Sequence, residues 1–165
     1  MLYGYRCTKY PMFDDLQQHL KTQLPYLTGE WLYSNSGYEE GICKILSMKQ
    51  SKSRYWDAVW NQHHIEFKKG RSIWLDLVRY SEILLRLNEE AHKETICLFF
   101  IPTKSKGKIE EVICVETASL IKFVGITQLQ AESLIQISGA VPRSLNAQAS
   151  LTVNDISEIK VFSVK

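Results

Sequence analysis

The chain has 165 residues, of which 45% are hydrophobic and 23% are charged, and its net charge is +2 at pH 7. A chain of this size buries its own core, which excludes the small scaffolds that depend on disulfides or a structural metal. It contains no run of about 20 apolar residues that would span a membrane, and its N-terminus lacks the pattern of a signal peptide. We therefore expect one soluble, cytoplasmic domain over residues 1–165.

The charge and the cysteines exclude further classes. A net charge of +2 is too small to indicate a nucleic-acid partner by itself. The four cysteines are far apart and form no C-x-x-C pair, so the spacing of a zinc ribbon is absent. We expect buried, reduced thiols at Cys7, Cys43, Cys97 and Cys114.

The first third of the chain has the apolar spacing of two helices. The first is predicted over Phe13 to Leu24, with an apolar face that Pro25 ends, formed by Phe13, Leu16, Leu20 and Leu24. The second is predicted from an N-cap at Ser36 to about Met48. At about 100° per residue, Glu39 falls beside the apolar stripe of this second helix and Glu40 falls opposite it. Glu39 is therefore expected to face inward.

The remainder of the chain alternates between strand and helix patterns. Residues Arg54 to Lys69 have the two-residue period of a hairpin, with Asn61 and Gln62 in the turn. Strands are predicted at Arg71–Leu75, Thr95–Ile101, Ile109–Val115 and Ile159–Val164, and helices at Leu77–Leu87, Thr117–Val124 and Ala131–Ile137, with a polar stretch at Val141–Val153. This order predicts an α/β (α+β) fold with a mixed central β-sheet flanked by helices.

The hairpin brings two carboxylates together. With the turn at Asn61 and Gln62, Asp57 lies opposite Glu66, about 5 Å away at Cβ. Because side chains alternate along a strand, Lys68 shares their face, and the apolar residues Trp56, Ala58, Trp60, Ile65 and Phe67 occupy the other. The pattern therefore places two acids and a lysine on the face that the hydrophobic residues leave uncommitted.

Two close carboxylates repel each other, and this repulsion either raises the pKa of one of them or favours the binding of a cation between them. Oxygen ligands that leave positions for water suit Mg²⁺. A lysine beside the metal can hold an attacking water and stabilise transition-state charge, as phosphodiester hydrolysis requires. The alternative is a solvated cross-strand salt bridge between one of the acids and Lys68, which contributes little.

Asp57, followed after eight residues by Glu66-Phe67-Lys68, resembles the D…(D/E)-x-K signature of the PD-(D/E)xK nuclease superfamily. The setting is also similar, because a helix precedes the hairpin and a helix and an apolar strand follow it. The resemblance covers roughly residues 36–115, and Trp56 stands where the motif's name has a proline. The short hairpin is most similar to PvuII-type restriction endonucleases, which are homodimers that cut double-stranded DNA with magnesium.

This resemblance implies a restriction-endonuclease-like core and a set of residue roles. Asp57 and Glu66 would bind Mg²⁺, with the Phe67 carbonyl as a further ligand, and Lys68 would orient and activate the water. Glu39 is the candidate for an additional acid from the preceding helix. His64 could touch a phosphate, and Lys69 and Arg71 could neutralise the DNA backbone.

Base recognition requires side chains that reach base edges, and the polar stretch has suitable types in Arg143, Asn146 and Gln148. The leading hypothesis is a homodimeric type II restriction enzyme whose interface is the helix at residues 13–24. A repair or junction-resolving nuclease of the same fold is one alternative. The other is a non-catalytic module for nucleic-acid binding or protein interaction, in which the hairpin carries only a salt bridge.

Overall fold

A computed structural model describes residues 2–34, 36–53, 55–61, 63–86, 95–105, 107–126, 129–132 and 148–165. Within these ranges the helices are α1 (Leu2–Gln23), α2 (Tyr38–Leu46), α3 (Leu77–Arg86), α4 (Thr117–Val124) and α5 (Val153–Glu158). The strands are β1 (Lys49–Gln50), β2 (Ala58–Trp60), β3 (His63–Lys69), β4 (Ser72–Asp76), β5 (Thr95–Pro102), β6 (Ile109–Glu116), β7 (Gln148–Thr152) and β8 (Phe162–Val164).

Six of these strands form one sheet, in the order β1-β2-β3-β5-β6-β8. The β3–β5 pair is parallel and the other pairs of this sheet are antiparallel. Helices pack on both faces, so the predicted mixed sheet flanked by helices is confirmed at this level. Among the described residues, no helix is both long and apolar enough to cross a membrane.

The central strand β5 separates two hydrophobic clusters. Its side chains alternate between them, with Ile96, Leu98 and Phe100 facing one cluster and Cys97, Phe99 and Ile101 facing the other. The first cluster lies between the sheet and helices α1 and α2, and the second contains residues of α3, α4, α5 and the β4–β7 ribbon. All eight residues of β5 are buried, which confirms the prediction of a strand covered on both faces.

The predicted hairpin register is confirmed within β2 and β3, whose ladder begins at Ala58 and does not include the predicted pairing of Asp57 with Glu66. Ala58 pairs with Ile65 and Trp60 with His63, and Asn61 adopts the positive φ of 47° that a tight turn requires. Ala58, Ile65 and Phe67 are buried in the first cluster, as predicted. Trp56 differs from the prediction, because it precedes β2 and its ring stacks on His64 instead of following the strand alternation.

Other boundaries differ at the ends of elements. Helix α1 begins at Leu2 and runs through Pro11, whereas the apolar pattern indicated a start at Phe13. Helix α2 has Gly37 as its N-cap, with φ of 82°, because Ser36 is engaged with Ser34 instead. Residues 129–132 are helical, and the rest of the helix predicted to Ile137 lies outside the described residues.

The polar stretch contains a strand that the sequence did not predict. Strand β7 pairs with β4 as a separate two-stranded ribbon, in which Ile73 lies opposite Leu151. Both of these residues are buried in the second cluster. The two paired strands are about half the chain apart in the sequence, so local periodicity could not indicate that they pair.

The apolar face predicted for the first helix consists of Phe13, Leu16 and Leu20 of α1 and of Leu24 directly after it, and all four are buried in the first cluster of the same chain. This face is therefore occupied within one protomer. A dimer through the helix at residues 13–24 would have to use its polar faces, and that interface stays a prediction.

Candidate active site

Asp57 lies immediately before β2, at the open end of the hairpin. Its main-chain N–H donates to the Ile65 carbonyl at 2.9 Å, and its carboxylate Oδ2 accepts from the Phe67 N–H at 2.8 Å. The N–H and C=O of one residue in an extended strand point to the same side. The Phe67 carbonyl therefore faces the end of β2 that carries Asp57.

The Asp57 carboxyl ionises at a higher pH than an ordinary aspartate. Burial raises its pKa to about 6, and the nearby charges of Glu66 and Glu39 also act in this direction. The Phe67 N–H and the Lys68 ammonium lower the pKa but do not cancel the effect of burial. At neutral pH this carboxylate is therefore negatively charged in surroundings that lack enough positive charge to balance it.

Glu66 is buried, with 3% of its side chain exposed. It lies on the face that the hydrophobic residues of the hairpin leave uncommitted, as predicted, and helix α3 covers this face through Arg79 and Tyr80. The Glu66 Oε1 atom lies 3.4 Å from Lys68 Nζ and 3.5 Å from Arg79 Nη1. The Oε2 atom accepts a hydrogen bond of 2.6 Å from the Tyr80 hydroxyl. The two oxygens therefore have different surroundings, one cationic and one neutral.

Neutral polar groups line the inner side of Glu66. Cys97 lies on β5 directly beside it, with Sγ 3.9 Å from Glu66 Oε2 and 3.5 Å from Thr117 Oγ1. Burial raises the pKa of Cys97 to about 12 and that of Tyr80 well above its ordinary value. Both groups therefore keep their protons at neutral pH and add no negative charge to the pocket.

Asp57, Glu66 and Lys68 are thus brought together around one end of the hairpin. Glu39 on α2 is half-buried, whereas Glu40 is exposed and pairs with Lys44, so the predicted facing of this helix is observed. Among the described residues, no three His, Cys, Asp or Glu side chains are grouped closely enough to hold one metal ion. Glu39 therefore influences the site through its charge on Asp57.

The arrangement has the oxygen donors that suit Mg²⁺. Two carboxylates and one main-chain carbonyl leave coordination positions for water. The raised pKa of Asp57 marks a place where a cation would relieve uncompensated negative charge. The donor types present are therefore those that magnesium prefers.

The basic and aromatic residues near the site already have partners in the protein. The His64 ring stacks on Trp56 with centroids 4.0 Å apart. The Lys69 ammonium donates to the carbonyls of Leu32 and Ser34, and Arg71 donates to the Pro102 carbonyl and pairs with Glu110. In these positions Lys69 and Arg71 tie β3 and the following turn to neighbouring loops.

Of the three residues suggested for base recognition, Gln148 alone lies among the described residues. Arg143 and Asn146 lie outside the described residues. Gln148 is the first residue of β7, where it pairs with Asp76 of β4. The main chain at Gln148 is thus held by the ribbon whose other strand, β4, follows β3.

Sequence reasoning missed Arg79 and Tyr80. Both belong to α3, and Asp76 caps this helix by accepting from the N–H groups of Val78 and Arg79. Tyr80 is fully buried. A tyrosine among the apolar residues of a helix must find a partner for its hydroxyl in the core, and this signal was available in the sequence.

The chain matches no protein-family model and no curated protein sequence.

Proposed function

We propose that this protein is a magnesium-dependent endonuclease that hydrolyses phosphodiester bonds of double-stranded DNA. The observation that carries the proposal is the contact of Lys68 Nζ with the Glu66 carboxylate at 3.4 Å, beside an Asp57 carboxylate whose pKa is raised to about 6. An exposed salt bridge alone would leave both acids solvated. Here Glu66 is buried, and Asp57 carries negative charge that its surroundings do not balance.

The order of elements also supports the proposal. A helix precedes the hairpin, the first acid lies before β2, the E-x-K sequence lies on β3, and a helix and a buried strand follow. The resemblance to PD-(D/E)xK nucleases implies this order, except that it has the first acid on the first strand of the hairpin.

Asp57, Glu66 and the Phe67 carbonyl would hold the metal. Magnesium, when bound, supplies a Lewis acid and lowers the pKa of a coordinated water. Lys68 is 21% exposed and lies at the boundary between Glu66 and solvent. From there its ammonium orients the attacking water and stabilises charge on the phosphate. The water oxygen forms the new bond to phosphorus while the bond from phosphorus to the leaving sugar oxygen breaks. The water releases one proton to solvent, and the sugar oxygen takes up one proton from solvent.

Incubation of the protein with supercoiled plasmid and Mg²⁺ tests this function, followed by mapping of the DNA ends. Cleavage at a short defined palindrome by a homodimer in the cytoplasm is the form that we propose. Cutting confined to branched DNA would identify a junction-resolving or repair nuclease instead. Calcium-supported DNA binding without cleavage in Mg²⁺ or Mn²⁺ would reject the enzyme and favour a binding module.

Sedimentation tests the dimer separately. A particle of two chains at micromolar concentration, with or without DNA, is expected because two sites related by a two-fold axis cut both strands of a palindrome. A monomer under both conditions would reject the homodimer.

A further inference from the structure

Two side-chain cations lie beside Glu66 Oε1, whereas the other oxygen of this carboxylate faces the core. Tyr80 holds the other oxygen from inside the core at 2.6 Å. Lys68 and Arg79 approach Oε1 from the outer side at 3.4 and 3.5 Å. A divalent cation ligated by Glu66 would need this same oxygen, since Oε2 is engaged with the tyrosine.

Arg79 is the more easily displaced of the two cations. Its side chain is 39% exposed, compared with 21% for Lys68. Both separations, 3.4 Å for Lys68 and 3.5 Å for Arg79, are long for a charge-assisted hydrogen bond, so it is the greater exposure of Arg79 that distinguishes the two. The main chain at Arg79 is fixed, because its N–H donates to the Asp76 carboxylate at the start of α3. The guanidinium can therefore turn without moving the helix.

We propose that Arg79 is a phosphate-binding residue that a divalent cation releases from Glu66. Without metal, Arg79 supplies counter-charge to the buried carboxylate. When a cation occupies Oε1, its charge repels the guanidinium, which turns towards solvent, where the phosphate of a bound DNA lies. The planar fork of arginine matches two phosphate oxygens, so the released side chain gains a suitable new partner.

This inference rests on the proposed function, and it adds an order to the binding events. Metal binding precedes tight DNA binding, because the same displacement that fills the metal position frees a positive charge for the phosphate. Arg79 thus weakens binding of the cation in the absence of DNA and strengthens binding of DNA in the presence of the cation.

The variant Arg79→Ala separates these two effects, because they have opposite signs. Calorimetric titration with Ca²⁺ in the absence of DNA is expected to show about threefold to tenfold tighter binding, since the competing cation is gone. With Ca²⁺ present, affinity for a duplex oligonucleotide is expected to fall. The slope of log affinity against log salt should fall by about 0.9, as for one lost phosphate contact. In EDTA the slope should not change.

Two further variants complete the test. Arg79→Lys keeps the charge without the fork, so its Ca²⁺ affinity should remain near that of the wild type while DNA affinity recovers only in part. Lys44→Ala removes a positive charge from an exposed pair with Glu40 on α2, and it should leave both Ca²⁺ affinity and the salt slope unchanged. Thermal melting of each variant checks that the fold is intact.

Equal or weaker Ca²⁺ binding by a folded Arg79→Ala variant would overturn the inference, even if cleavage were lost. An unchanged salt slope in Ca²⁺ would overturn it as well. If the wild-type protein itself binds no Ca²⁺, the metal site of the proposed function fails, and the role of Arg79 fails with it. Calcium binding by the wild type thus distinguishes the two failures.

Discussion

Tyr80→Phe removes a single buried hydroxyl, and its effect on stability follows from the surroundings of Glu66. The hydroxyl donates to Oε2 at 2.6 Å, and the tyrosine is fully buried. A hydrogen bond to a charged group contributes about 1.5 to 3 kcal/mol to stability. The variant should therefore lower the free energy of unfolding by about 2 kcal/mol. For a protein of this size, that corresponds to a Tm lower by about 4 to 8 °C.

Urea denaturation followed by circular dichroism, in metal-free buffer at pH 7.5, measures this loss. The double variant Tyr80→Phe/Glu66→Gln completes a thermodynamic cycle. Because an amide is a weaker acceptor than a carboxylate, loss of the hydroxyl should cost at least about 1 kcal/mol less in the Glu66→Gln background. Tyr26→Phe is the matched control, because Tyr26 is 66% exposed and its loss should change stability by less than about 0.5 kcal/mol.

An equal cost of Tyr80→Phe in both backgrounds would refute the reasoning. It would show that the hydroxyl acts through packing, and that the carboxylate of Glu66 is not held in place by Tyr80.

Three other predictions concern the hairpin. The raised pKa of Asp57 means that the folded state binds a proton more tightly than the unfolded state, so the contribution of this group to stability is lost as pH rises from about 4 to about 6. In denaturation experiments, Asp57→Asn should therefore stabilise the metal-free protein by about 1 to 3 kcal/mol at pH 8 but not near pH 4. Lys68→Ala should reduce single-turnover cleavage in Mg²⁺ by at least about 100-fold while the protein stays folded, because the water loses its orienting cation. Glu66→Gln should strengthen metal-free DNA binding and reduce the enhancement by Ca²⁺ in fluorescence anisotropy, because the buried charge no longer repels phosphate or binds the ion.

Each of these predictions has an outcome that contradicts it. A stability difference between Asp57→Asn and the wild type that is the same at pH 4 and pH 8 would show that Asp57 titrates normally. Full cleavage by Lys68→Ala would remove the lysine from the proposed site. If the affinity for DNA is indifferent to divalent cations in both the wild type and Glu66→Gln, the acidic pair is a salt-bridge element and not a metal site.

The hairpin could be predicted from the sequence because its determinants are local. The alternation of apolar residues and the turn at Asn61 fix the register, and the structure has the predicted pairing of Ala58 with Ile65. The run of apolar residues that forms β5 likewise indicated burial on both faces.

The surroundings of Glu66 could not be predicted in the same way. Its burial depends on α3, which returns over the sheet after the β4 strand, and no local pattern fixes how a helix is rotated on a sheet. The contacts of Arg79 and Tyr80 with Glu66 follow from that rotation. The pairing of β4 with β7 was missed because the two strands are distant in the sequence, although Gln148–Thr152 alternates polar and apolar residues as a strand does.

The two edges of the central sheet are very short within the described part of the chain. Strand β1 has only Lys49 and Gln50, both exposed, and β8 at the opposite edge has three residues. Short edges with a charged side chain offer few free main-chain groups to a strand of another molecule, which protects a sheet against edge-to-edge aggregation. Copies of this chain are therefore expected to associate through side-chain surfaces and not by extending one continuous sheet.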